Sequence, residues 1–142
     1  MSNSEFLSDV SDQHGVSPRR LAAALRTAES ELAIVAWVSP EALTKAARIG
    51  SVTPQSQLVE ICGIIDRIIP WAASAPTAYA WYRSQSLPSF GDATAEELVR
   101  QGWSNKLHAY LDRLKDGGFA RFWSAMLRAI ALAARREIRV NY

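Results

Sequence analysis

The chain has 142 residues, of which 49% are hydrophobic and 21% charged, a composition typical of one compact domain or two small helical subdomains. The net charge of +2 is too small to indicate a nucleic acid or a membrane as partner, and a single cysteine excludes an internal disulfide. The opening residues lack the basic start and apolar core of a signal peptide, and no apolar stretch is long enough to span a bilayer. We therefore expect a cytoplasmic protein without a membrane anchor.

Residues 1–16 are polar and are expected to form a disordered leader. Beyond them, helix starts are marked by a hydroxyl residue before a proline, because the hydroxyl oxygen accepts from a first-turn N–H and proline needs no donor there. Such pairs are Ser17-Pro18, Ser39-Pro40 and Thr53-Pro54, and Thr94 with Glu97 forms a capping box. Helix ends are predicted at Gly50, Pro70, Gly102 and Gly117. No alternating β pattern of useful length appears, so the fold class is predicted to be all-α.

The strongest helical pattern lies in residues 53–69, where apolar side chains three and four residues apart form one continuous face. The face comprises Leu58, Ile61, Cys62, Ile65, Ile68 and Ile69. A cysteine in such a face is expected to be a small buried hydrophobe and not a nucleophile.

Residues 29–48 have the spacing of a helix-turn-helix. Leu32 and Ala33 fit the first helix, Val38 fills the turn, and Leu43 packs the inner face of the second helix. The candidate DNA contacts are the cap and the outward side chains of the second helix: Ser39, Thr44, Lys45 and Arg48.

Two features of this segment disfavour DNA contact. Trp37 occupies the turn position usually held by glycine, and its side chain penalises a left-handed backbone. Glu41 would face phosphates with the wrong sign. A three-helix core that has this topology and binds no DNA is the alternative.

The second half of the chain has a distinctive order of features. A tryptophan near a helix end precedes a short Pro/Gly loop, a capped helix ending in glycine, and a further helix that leads to a Gly-Gly-aromatic-Ala segment. The residues in this order are Trp81, Leu87, Gly91, Thr94, Glu97, Leu98, Gly102, Leu111, Leu114, Gly117, Gly118, Phe119 and Ala120. Together with the preceding helix-turn-helix, this order resembles the Xre/ParS-like antitoxins over roughly residues 17–120.

The resemblance implies an Xre-like helix-turn-helix half, residues 17–73, packed with a toxin-binding half, residues 74–120. The partner it implies is a RES-domain toxin, an ADP-ribosyltransferase-like enzyme that consumes NAD by degrading it or by transferring its ADP-ribose. The antitoxin of such a type II pair, expected here as a homodimer, occludes the NAD site with its C-terminal end and represses its own operon by binding operator DNA.

The toxin contacts carried over from the resemblance are Trp81, Tyr82, Gly117, Gly118, Phe119 and Ala120. Two glycines allow positive φ and close backbone approach, and Phe119 is a rigid apolar anchor. The same residues fit an ordinary helix end with Phe119 folded back on Leu114. Trp81 likewise fits a core position that holds the two helical halves together.

Residues 121–142 depart from the family, whose antitoxins usually end at or just after the Gly-Gly-aromatic-Ala segment. They contain five arginines and one acid, a local charge of +4, so the preceding residues carry −2. The pattern predicts a basic amphipathic helix that packs on the protein's own core or at a dimer interface, with an acidic groove or a membrane surface as alternatives. Because the chain continues, Ala120 presents no free carboxylate.

Catalytic chemistry is not indicated by the residues present. His14 and His108 are unclustered, no zinc spacing, phosphate loop or nucleophile elbow occurs, and Glu96 and Glu97 are explained by capping and the helix dipole. We therefore expect no enzyme activity, no metal and no cofactor. The alternative function is a stand-alone helix-turn-helix transcriptional regulator, and a third is a peripheral membrane protein using residues 119–139.

Overall fold

The described residues in the computed structural model are 5–43 and 52–116. Within these ranges the fold is all-α, as predicted, with one small two-stranded hairpin added. The chain divides into two compact units, Met1–Pro76 and Thr77–Tyr142. The limits predicted for the two functional halves, 17–73 and 74–120, stay a prediction.

The first unit contains five helices or helix segments and the hairpin within the described ranges. They are α1 (Glu5–Val10), β1 (Ser11–Asp12), β2 (Gly15–Val16), α2 (Pro18–Leu25), α3 (Glu29–Val35), α4, which begins at Pro40 and is described to residue 43, and α5 (Val52–Ala72). The remaining elements are α6 (Ala75–Ser84), which begins just before the second unit, a 3-10 turn (Pro88–Phe90), α7 (Ala95–Arg100) and α8 (Ser104–Asp116).

The expected disordered leader is wrong for residues 5–16. Phe6 and Val10, four residues apart on α1, are buried where α1 contacts α2 and α5. The hairpin pairs Ser11 with Val16 antiparallel, and Val16 is buried as β2 contacts α5. Two apolar residues on a single helical turn are too few to give a recognisable period, so only the contacts with α2 and α5 reveal this segment as part of the core.

Three of the predicted helix caps are present, each as a hydrogen bond from the N–H three residues later to the side-chain oxygen of the cap. They are Arg20 N–H to Ser17 Oγ (3.3 Å), Ala42 N–H to Ser39 Oγ (3.1 Å) and Glu97 N–H to Thr94 Oγ1 (3.2 Å). Since each cap satisfies a backbone donor that has no partner inside its helix, these starts follow from local sequence.

Most of the apolar face predicted for α5 is buried. One predicted member of the face is replaced by another residue, and the helix ends later than predicted. Ile64 is fully buried, whereas Ile69 is only half-buried. The predicted end at Pro70 is also wrong, because α5 continues to Ala72. A proline so close to a helix end removes one hydrogen bond and leaves the earlier turns intact. Ala73 ends the helix with φ 75°, and its N–H donates to the Ile69 carbonyl at 2.8 Å.

Candidate functional site

The expected helix, turn and second helix are present over residues 29–43. α3 ends in a Schellman motif: the Val38 N–H donates to the Ala33 carbonyl at 3.0 Å, and the Trp37 N–H donates to the Ile34 carbonyl at 3.1 Å. Leu32 and Ala33 are buried, as predicted, and so is Leu43 after the turn. Val38 is half-buried.

Trp37 takes the left-handed backbone that this turn requires, with φ 47°. The tryptophan side chain was expected to disfavour such a backbone, and therefore this turn, but the turn forms nonetheless. The side chain is half-buried, so its packing offsets part of a conformational cost of about 1–2 kcal/mol. A tryptophan here is therefore compatible with the helix-turn-helix turn.

A side chain from α5 supports the same turn. Gln57 Nε2 donates to the Ala36 carbonyl at 3.0 Å. This carbonyl belongs to the last turn of α3, where carbonyls have no partner within the helix. No sequence pattern indicates this role of Gln57, since the bond joins residues 21 positions apart.

The candidate DNA-binding residues are only partly described. Ser39 is exposed and caps α4, whereas Thr44, Lys45 and Arg48 lie outside the described residues. Glu29 and Glu31 lie in the first turn of α3, and exposed Glu41 lies in the first turn of α4. Helix N-termini are where backbone N–H groups hold phosphates, so three carboxylates there weaken the electrostatic case for DNA.

The structure opposes the two toxin contacts predicted on α6. Trp81 and Tyr82 are both 0% exposed, so neither ring is presented to a partner. The alternative of a core position for Trp81 agrees with this burial. Large aromatic side chains contribute most by being buried, and sequence alone did not show which face of α6 points inward.

The loop and helix that follow match the predicted order of features. Leu87 and Leu98 are buried, and Gly91 has φ 64° at the end of the 3-10 turn. α7 ends at Arg100, and Gly102 follows its cap with φ 84°; the Trp103 N–H then donates to the Leu98 carbonyl at 2.8 Å. The predicted glycine end of this helix is therefore confirmed.

A carboxylate on α7, that of Glu96, is buried. Glu96 is not explained by capping alone: its oxygens accept from Arg83 Nε at 3.0 Å and from Arg100 Nη2 at 3.2 Å. The Glu96 side chain is 11% exposed, and two guanidinium groups compensate for its desolvation. The four-residue spacing of Glu96 and Arg100 indicates an ion pair in the sequence, whereas no sequence pattern indicates Arg83, which lies 13 positions away.

α8 leads directly toward the predicted inhibitory segment. Leu107 and Leu111 are buried and Leu114 is half-buried, as their spacing predicts. The helix is described to Asp116. Gly117, Gly118, Phe119 and Ala120, like the tail at 121–142, lie outside the described residues.

The reactive side chains do not converge. Among residues 5–43 and 52–116 no group of three His, Cys, Asp or Glu side chains is arranged to hold a metal ion. Burial, with a smaller contribution from Asp66, raises the pKa of the Cys62 thiol to about 12, so the thiolate that a nucleophile requires is suppressed. None of the helices in the same ranges is both long and apolar enough to cross a membrane.

Comparison of the chain with models of known families, with curated proteins and with solved structures gives no match.

Proposed function

We propose that the chain is the antitoxin of a type II toxin–antitoxin pair, which binds a RES-domain toxin and occludes its NAD site with residues 117–120. The observation that carries the proposal is the order of elements in the second unit. Buried Trp81 on α6 is followed by a 3-10 turn, a Thr94-capped α7 with Gly102 just after its end, and α8 up to the Gly-Gly pair. The resemblance to Xre/ParS-like antitoxins rests on this order.

The physical basis of such inhibition is steric and requires no reaction by this chain. α8 is held to its unit by buried Leu107 and Leu111, so it is a rigid support for the segment that follows. Two glycines allow that segment to approach another backbone closely, and Phe119 supplies apolar contact area of the kind that dominates interface energies.

The proposal includes a cytoplasmic homodimer that also represses its operon. The Ser39 hydroxyl, with Thr44, Lys45 and Arg48, would contact operator DNA. The Ser39 oxygen accepts from the Ala42 N–H, which leaves the hydroxyl proton available to a phosphate.

Truncation tests the inhibitory segment. Cells expressing a RES-domain toxin should be rescued by the full chain and by a chain ending at Ala120, but not by a chain ending at Asp116. Circular dichroism should show that the shortest chain is still helical and melts cooperatively. Rescue by this shortest folded chain would contradict occlusion by residues 117–120.

The alternative is a stand-alone helix-turn-helix regulator, which the Ser39 cap and the buried Leu32 and Leu43 favour. It predicts that both truncated chains bind operator DNA as tightly as the full chain, with an affinity that falls steeply with salt. The same chains thus separate the two functions, because only toxin neutralisation requires residues 117–120.

A further inference from the structure

One flank of α8 combines aromatic rings with cations on the protein surface. Trp103, which precedes the helix, is followed by Lys106, Tyr110 and Arg113 at intervals of three, four and three residues. This spacing places the four side chains along one side of the helix, beside the buried positions Leu107 and Leu111. Trp103 is 42% exposed, and both cations are exposed.

Each cation on this flank is positioned by the neighbouring ring. The Lys106 ammonium lies 4.3 Å from the centre of the Trp103 ring, and the Arg113 guanidinium lies 5.9 Å from that of Tyr110. The Phe90 ring contacts the Tyr110 ring edge to face, with the ring centres 5.6 Å apart. Cations held in this way lose less side-chain entropy when they bind a partner.

The charge of the flank has one sign. Of the acidic residues of α8, Asp112 lies on another side of the helix by its spacing, whereas Asp116 lies one turn beyond Arg113, past the end of the flank. The ion pairs of Glu96 are made with Arg83 and Arg100 and do not involve Lys106 or Arg113. Two positioned cations without a carboxylate between them are complementary to a partner that supplies carboxylates.

We propose that this flank, Trp103 to Arg113, docks onto an acidic protein surface of the toxin. The inference rests on the function proposed above and adds a second contact region to residues 117–120. Tryptophan, tyrosine and arginine are the side chains most enriched among residues that dominate binding energy. A nucleic acid fits less well, because Lys106 already covers a face of Trp103 on which a base would stack.

Charge reversal on full-length protein tests the docking surface. The probe is a purified RES-domain toxin carrying an inactivating substitution in its own active site, titrated calorimetrically with each variant. Lys106→Glu and Arg113→Glu should each weaken binding by about tenfold or more, since a rim cation is replaced by a repelling charge. Lys106→Arg should bind within about twofold of the original chain, because the charge stays over Trp103.

Arg19→Glu is the matched control, since it makes the same charge change at an exposed position of α2. It should leave the affinity within about twofold, which separates local docking from the effect of net charge.

Equal affinities for Lys106→Glu, Arg113→Glu and Arg19→Glu would overturn the docking surface and leave the inhibitory segment standing. An unmodified chain that fails to bind the toxin would overturn both proposals. Binding of a single-stranded oligonucleotide that is lost in Lys106→Glu would assign the flank to nucleic acid and overturn the proposal as well.

Discussion

Arg26, Trp37 and Ala73 each end a helix in a backbone conformation that glycine adopts most easily, with φ of 59°, 47° and 75°. At Arg26 the geometry is a full Schellman motif: the Thr27 N–H donates to the Ala22 carbonyl at 2.9 Å and the Arg26 N–H to the Ala23 carbonyl at 3.2 Å. The hydrogen bonds compensate for the strain, so composition alone does not forbid these turns. Glycine is the sequence signal for such an end, so Gly102 is predictable, whereas Arg26 and Ala73 carry no such signal.

Replacing Arg26 by glycine should stabilise the protein. The Arg26 side chain is exposed, so little packing is lost, while the left-handed strain is relieved. We expect a gain of about 0.5–1 kcal/mol in the free energy of unfolding, measured by urea denaturation. Arg26→Ala, which keeps a Cβ in the same conformation, is the control and should change the free energy little. A destabilised Arg26→Gly variant would show that the arginine side chain makes the larger contribution.

At the scale of elements, the hairpin is hydrogen-bonded to α5 through the side chain of Gln55. Gln55 Oε1 accepts from the Val16 N–H at 3.0 Å, and Gln55 Nε2 donates to the Val16 carbonyl at 2.7 Å. The Gln55 side-chain amide thus forms hydrogen bonds with both the N–H and the carbonyl of Val16, as a neighbouring strand would. Gly15, with φ 114°, makes room for it, because a Cβ there would come within 2.5 Å of Gln55 Oε1.

Gln55→Ala should destabilise the hairpin by about 1–3 kcal/mol, because two backbone groups of buried Val16 lose their side-chain partner. Native-state hydrogen exchange measures this directly, and the Val16 amide should exchange faster. Gln57→Ala removes the bond to the Ala36 carbonyl instead and should leave the Val16 amide protected. Unchanged exchange at Val16 in Gln55→Ala would mean that burial of this amide, and not its hydrogen bond to Gln55, protects it.

At the scale of the whole molecule, burial of Cys62 in the long apolar face of α5 makes stability depend on pH. Cys62 is completely buried in this face, and its pKa of about 12 lies above the ordinary value of 9.0. As the pH rises, the unfolded chain therefore loses this proton first, and the folded state is penalised. Partial burial raises the pKa of Tyr110 as well, and the Arg113 charge offsets part of that rise.

The free energy of unfolding should be independent of Cys62 below pH 9 and should fall between pH 9 and about 12. The slope expected from this single thiol is about 1.4 kcal/mol per pH unit. Cys62→Ala should lose this part of the slope while keeping the part due to Tyr110, when both proteins are denatured with urea at each pH. Identical slopes would show that the thiol ionises alike in both states.

The sequence by itself determined the helical fold class, the caps at Ser17, Ser39 and Thr94, and most of the buried face of α5. These features depend on residues within about four positions of one another, so local hydrogen bonding and helical period suffice to predict them. Only the tertiary structure decided that residues 5–16 are ordered, that Trp81 and Tyr82 are buried, and that Glu96 pairs with Arg83. Burial and ion pairing arise between residues far apart in the chain, and no local pattern records which of them meet when the helices pack.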